Sequence, residues 1–122
     1  MAGKKVLVIS AHAADFVWRA GGTIASYLDR GAEVKVVVLS YGIRGESNDL
    51  WKGEGQTADN VRAIRHAESS AAAAILGVKD IEYWDFEDYP MDLGRDRLDR
   101  LATTIRKFRP DIVITHGWKD AF

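Results

Sequence analysis

The chain contains no cysteine, which excludes a disulfide framework and a thiolate zinc site; any metal must be held by histidine and carboxylate. The absence is neutral about compartment and compatible with a reducing cytosol. Neither sign of charge dominates: 17 basic and 18 acidic residues leave a net charge of −1. That balance argues against a nucleic-acid footprint or a polybasic membrane surface. No apolar run approaches the roughly 20 residues of a membrane span. The basic start, Met1 to Lys5, is followed by the apolar run Val6 to Ile9, which is strand-like and too short for a secretory signal. The expected location is cytoplasmic. Proline occurs only twice, so little interrupts regular structure.

The apolar residues, 47% of the chain, fall in alternating patterns. Val6-Leu7-Val8-Ile9 suits a strand buried on both faces. Gly21-Gly22-Thr23 then reads as the opening of a helix, with Ile24, Tyr27 and Leu28 at i, i+3 and i+4 and Gly31 as its stop. Val34 to Leu39 is a second strand, and the glycine-rich stretch from Tyr41 to Gln56 reads as a long functional loop. Thr57 is a plausible N-cap for an alanine-rich helix ending at Leu76-Gly77. Asp80 to Phe86 is a third strand. Leu98, Leu101, Ile105 and Phe108 mark an amphipathic helix stopped at Pro110, and Asp111 to Thr115 is the fourth strand. The order β-α-β-α-β-α-β implies right-handed crossovers and a Rossmann-like three-layer sandwich with a mainly parallel sheet. The 122 residues are expected to belong to one domain.

Ligands of such sheets bind beyond the carboxyl ends of the strands. The segments following the four strands carry His12/Asp15, Arg44/Glu46, Asp85/Asp88 and His116, so polar chemistry collects at one edge. A dinucleotide site is a weak reading, because Ala20-Gly21-Gly22 lacks the G-x-G-x-x-G spacing. His12-x-x-Asp15 reads either as half of a metal site or as a loop histidine followed by a helix-capping aspartate. Arg65 and Glu68, at i and i+3, suit either a site or a pairing along the helix. Trp18 is a candidate pocket wall, Trp51 and Trp118 are candidates for a lid or an interface, Trp84 for the core, and His66 for surface or packing.

The motif Ala11-His12-Ala13-Ala14-Asp15-Phe16, followed by Gly21-Gly22-Thr23, resembles the first motif of the PIG-L/LmbE-like superfamily of zinc-dependent de-N-acetylases. Arg65-x-x-Glu68, Leu76-Gly77, Asp85 and the Arg109 to His116 stretch match in order along the chain. The resemblance implies that His12 and Asp15 are zinc ligands. Ala14 stands where the deacetylases keep an aspartate base, and Phe16 replaces an acidic residue. With Arg44-Gly45-Glu46-Ser47 after the second strand, the pattern looks like the 4-oxalomesaconate hydratase branch, which adds water to a conjugated tricarboxylate in aromatic-acid degradation. The alternatives are a de-N-acetylase of an N-acyl sugar and an inactive fragment.

For a trianionic substrate, Arg19, Arg44 and Arg65 are the expected carboxylate-binding cations. Glu46 is the candidate base, because Ala14 cannot take a proton; His116 is a second candidate catalytic residue, with substitution as a third zinc ligand as its alternative role. The family's third zinc ligand is a histidine beyond the position of His116, which matches the earlier histidine at the end of strand four. The chain is therefore expected to be the N-terminal part of a longer domain, truncated after the fourth strand. An open sheet of this kind is expected to self-associate as a homo-oligomer.

Overall fold

The computed structural model describes residues 3–44, 47–53, 55–88 and 91–117. Its elements are β1 (Lys5–Ser10), α1 (Asp15–Asp29), β2 (Glu33–Val38), α2 (Asn48–Trp51), α3 (Ala58–Leu76), β3 (Asp80–Tyr83), α4 (Arg95–Phe108) and β4 (Ile112–Ile114). The four strands form one sheet in the order β3-β2-β1-β4, and every pairing is parallel. This is the α/β sandwich anticipated from the alternating pattern.

The period-2 alternation of the central strands divides the core. Val6 and Val8 of β1, with Val34, Val36 and Val38 of β2, face α1 and α3, where Phe16, Ala20, Ile24 and Ala73 meet them. Leu7 and Val37 face the other way, toward Trp84 and, on α4, Leu101 and Phe108. Trp84 is thus a core residue, as expected from its place in the strand pattern.

Most strand ends fall within one residue of the sequence reading; three differences are larger. First, α1 begins at Asp15, six residues before Gly21, so the glycine pair lies inside the helix. Phe16, Ala20 and Ile24 carry an unbroken buried stripe past it, and tertiary burial outweighs the roughly 1 kcal/mol that a helical glycine costs against alanine. Second, β3 stops at Tyr83 rather than Phe86. Trp84 N–H bonds to Val38 O at 2.9 Å and Phe86 N–H to Leu39 O at 2.7 Å. Two residues advance against one, and Asp85 takes a left-handed conformation at φ 54°, so the extra residue ends the regular ladder. Third, the stretch expected as one long loop contains α2. The boundaries of α3 agree with expectation: Thr57 Oγ1 accepts from Asn60 N–H at 3.2 Å, and Gly77 closes the helix at φ 89°, where glycine carries no Cβ penalty.

On the α4 side, Lys35 bonds to Asp80 Oδ1 at 3.0 Å and contacts Glu82. Burial alone would lower the Lys35 ammonium, but the hydrogen bonds to Glu82 and Asp80 outweigh it and raise it. Reciprocally, the Lys35 hydrogen bond holds the Glu82 carboxyl below its usual range, against the opposing effect of burial. A depressed carboxylate stabilises the fold above its unfolded pKa, and that contribution is lost as pH falls through the folded value. Glu82→Gln is therefore expected to lower Tm at pH 7 by about 2–4 °C, the scale of a solvent-screened pair. Thermal melts of both proteins should converge once pH has fallen below the depressed Glu82 value.

Candidate active site

Strand order reverses between β1 and β4: the chain runs outward from β1 through β2 to β3, then returns to the far side of β1. Such a switch point opens a crevice at the strands' carboxyl ends. His12 and Asp15 follow β1 and His116 follows β4, so the three side chains meet there. Asp15 Oδ2 accepts the His12 backbone N–H at 2.9 Å and lies 3.6 Å from His12 Nδ1 and 3.3 Å from His116 Nε2. His12 is 5% exposed, and Asp15 sits in the first turn of α1, where the helix dipole favours a carboxylate. His116 Nε2 also accepts the Ala11 N–H at 3.0 Å, which puts the neutral ring's proton on Nδ1.

Nitrogen and oxygen donors about 2.0–2.2 Å from a tetrahedral zinc stand about 3.3–3.6 Å from each other. The separation of His12 Nδ1 from Asp15 Oδ2 matches that spacing, so this pair fits two positions of a zinc. The His116 Nε2 lone pair is taken by the Ala11 amide, and among the described residues no group of three His, Asp or Glu side chains is arranged to hold a metal ion.

The three arginines do not form one cluster. Arg19 lines a recess between α1 and β4 together with Asp15, Thr115 and His116. Arg65 lies on the other side of the first turn of α1, in a recess of about 180 Å³ bounded by Ala13, Ala14, Trp18, Glu68 and Ser69. Its side chain is 17% exposed and 3.8 Å from Glu68, and its Nε is buried with no hydrogen-bond partner among the described residues. Arg44 is exposed, but its backbone N–H bonds to both carboxylate oxygens of the buried Asp88 at 3.2 Å. Glu46 and Trp118 lie outside the described residues. Trp18 borders the Arg65 recess while remaining 86% exposed.

Other groups around the crevice carry no sequence motif. Asp88 anchors the loop after β2, a role invisible without the partner amide. Tyr41 stacks on Tyr83 with ring centroids 5.4 Å apart, and its hydroxyl meets His66 Nδ1 at 2.9 Å. Burial raises the Tyr41 phenol, as do Asp85 and Tyr83, against the opposing Arg62; the hydroxyl therefore keeps its proton at neutral pH. His66 is thus a packing residue on the surface, as expected.

A parallel sheet with a histidine–aspartate pair at its switch point defines an α/β protein whose polar site lies beyond the carboxyl ends of the strands. Residues 7–121 match the family PIG-L, described as GlcNAc-PI de-N-acetylase, and the chain belongs to that family. It is 47% identical over 119 residues to the 4-oxalmesaconate hydratase of Pseudomonas putida, covering 98% of this chain and 46% of that protein. To the diacetylchitobiose deacetylase of Thermococcus kodakarensis it is 36% identical over 112 residues, covering 91% of this chain and 40% of the other. Among solved structures it resembles GalB, the 4-carboxy-2-hydroxymuconate hydratase of Pseudomonas putida, with a TM-score of 0.92 at 47% identity, over 98% of this chain and 49% of that one. The chain spans about half the length of the relatives it matches. No helix among the described residues is long and apolar enough to cross a membrane.

Proposed function

We propose that this chain is the N-terminal part of a zinc-dependent hydratase that adds water to a conjugated tricarboxylate of the 4-oxalomesaconate type, in aromatic-acid degradation. The observation that carries the reading is Ala14. In the deacetylases that the chain resembles, an aspartate base stands at this position; here a methyl group lines the Arg65 recess. A methyl group cannot take a proton from water, which favours hydration over amide hydrolysis. The 47% identity to a hydratase supports the same choice.

His12 and Asp15 would hold the zinc, which when bound supplies a polarised carbonyl or an activated water. Further donors would come from residues outside this chain's described part. The substrate's three carboxylates call for fixed cations. Arg65 is the best placed, because its mostly buried guanidinium retains an unbonded N–H that an incoming carboxylate would satisfy. Arg19 and Arg44 would bind the remaining carboxylates, with Glu46 as base and His116 as a second catalytic residue. The setting is read as cytoplasmic and the protein as a homo-oligomer, for which the exposed Leu98 and Ile105 of α4 and Val113 of β4 offer apolar surface.

The test is a pair of assays on the zinc-loaded protein. The tricarboxylate is expected to lose the ultraviolet absorbance of its conjugated double bond, while diacetylchitobiose releases no acetate. Acetate release without hydration would return the assignment to the deacetylases. Neither reaction, with zinc bound, would identify a fragment that holds metal and turns nothing over.

A further inference from the structure

Between β1 and α1 the backbone passes through Ala11, His12, Ala13 and Ala14, whose alanines have no polar side chains to brace it. The N-cap, Ala14, makes no side-chain cap hydrogen bond. Yet this loop aims His12 and Asp15. Three successive carbonyls are each held by a buried serine hydroxyl. Ser40, just after β2, donates to Ala11 O at 2.9 Å. Ser10, at the end of β1, donates to His12 O at 2.9 Å and accepts the Phe16 N–H at 3.1 Å. Ser69, on α3, donates to Ala13 O at 2.7 Å. These serines are 1%, 1% and 4% exposed, respectively. The next carbonyl, Ala14 O, already accepts from Val17 and Trp18 within the helix.

Ser10 and Ser40 lie at the ends of adjacent strands, where the sheet delivers them. Ser69 comes from a separate element, 56 residues away. Its hydroxyl accepts from Tyr83 Oη–H at 3.0 Å while its own single proton goes to Ala13 O, so one donor on β3 and one acceptor in the loop fix its orientation. The chain of bonds thus runs from β3 through α3 to the loop. Hydrogen bonds linked in this way polarise and orient one another.

We propose that Ser69, oriented by Tyr83, is a positioning residue that fixes the loop carrying His12 and Asp15 in metal-holding geometry. The inference deepens the zinc reading and rests on it for its functional meaning, but the positioning itself is a property of the metal-free loop. Partners that orient metal ligands change affinity without touching the metal.

The experiment compares Ser69→Ala, Tyr83→Phe and the core variant Ile24→Val by zinc titration and by amide hydrogen exchange of the metal-free protein. The buried Val36, on the central strand β2, reports global unfolding. In Ser69→Ala, zinc affinity is expected to fall at least about tenfold. The His12 amide, bonded to Asp15, is expected to speed up about tenfold more than the Val36 amide. Tyr83→Phe, which keeps the ring, should move both in the same direction by less, and it decides the matter if Ser69→Ala does not fold. Ile24→Val should shift neither zinc affinity nor the ratio of His12 to Val36 exchange. An unchanged exchange ratio in Ser69→Ala, or an equal change in Ile24→Val, overturns the proposal. If the parent protein binds no zinc, the metal reading fails, while the exchange ratio still decides the role of Ser69.

Discussion

Asp15→Ala is expected to weaken zinc binding by more than about 100-fold, beyond the range caused by loss of an outer partner. Its Oδ2 is the point on which the His12 amide, the His12 ring and the His116 ring converge, at 2.9, 3.6 and 3.3 Å. Removing the carboxylate deletes one proposed ligand and also frees the backbone of the other. The cost to folding is separate: about 1–3 kcal/mol for the His12 N–H left without its acceptor, and about 0.3–1 kcal/mol for the lost charge in the first turn of a helix. Affinity and Tm therefore separate the roles. Competition against a chromophoric chelator measures the first, and a thermal melt the second. Asp15→Asn sharpens the comparison, since it keeps the shape and removes the charge. Unchanged zinc affinity in both variants would leave His12-x-x-Asp15 as a structural turn in which the Asp15 carboxylate holds the His12 N–H, rather than the helix cap that its spacing suggests, since the N-cap Ala14 makes no side-chain bond.

Phe16→Ala is expected to cost about 3–5 kcal/mol, the scale of a fully buried aromatic reduced to a methyl group. Phe16 is 1% exposed and packs in the cluster formed by Val6, Val8, Ala20 and Ile24 with the β2 valines. A domain of this size has about 5–15 kcal/mol in total, so the variant should be partly unfolded or nearly so. Urea denaturation, read as a fall in midpoint at constant m, gives the number. The residue also joins fold to site: its amide bonds to Ser10 Oγ at 3.1 Å, and its ring seats the first turn of α1, which carries Asp15. A loss below about 1 kcal/mol would mean that the neighbouring side chains close over the vacated space.

The recognition of α3 and the misreading of α1 show what local rules can see. Thr57 and Gly77 bracket α3 because capping chemistry is decided within a few residues. The Gly21-Gly22 pair mimicked a boundary because its local cost is real, but burial of Phe16, Ala20 and Ile24 overrode it. The end of β3 was hidden for a related reason. Asp80 to Phe86 has a continuous strand pattern, and only pairing with β2 reveals the extra residue at Asp85.

The site divides in the same way. His12 and Asp15 were legible because they lie three residues apart after a strand whose end must face the crevice. The placing of Arg65 on one side of α1 and Arg19 on the other was not, since it depends on how α1 packs between α3 and β4. The serines were passed over altogether: a serine has no signature until its acceptor is known.

What the sequence determined by itself is the order of elements, the parallel sheet and the edge at which polar residues gather, because β-branched runs, helical periodicity and caps act over distances of a few residues. The tertiary structure alone decided the contacts across the chain: His116 against Ala11 at a separation of 105 residues, and Ser69 against Ala13 at 56. Those pairings arise when buried faces are matched in three dimensions, and every backbone carbonyl removed from water must then find a donor.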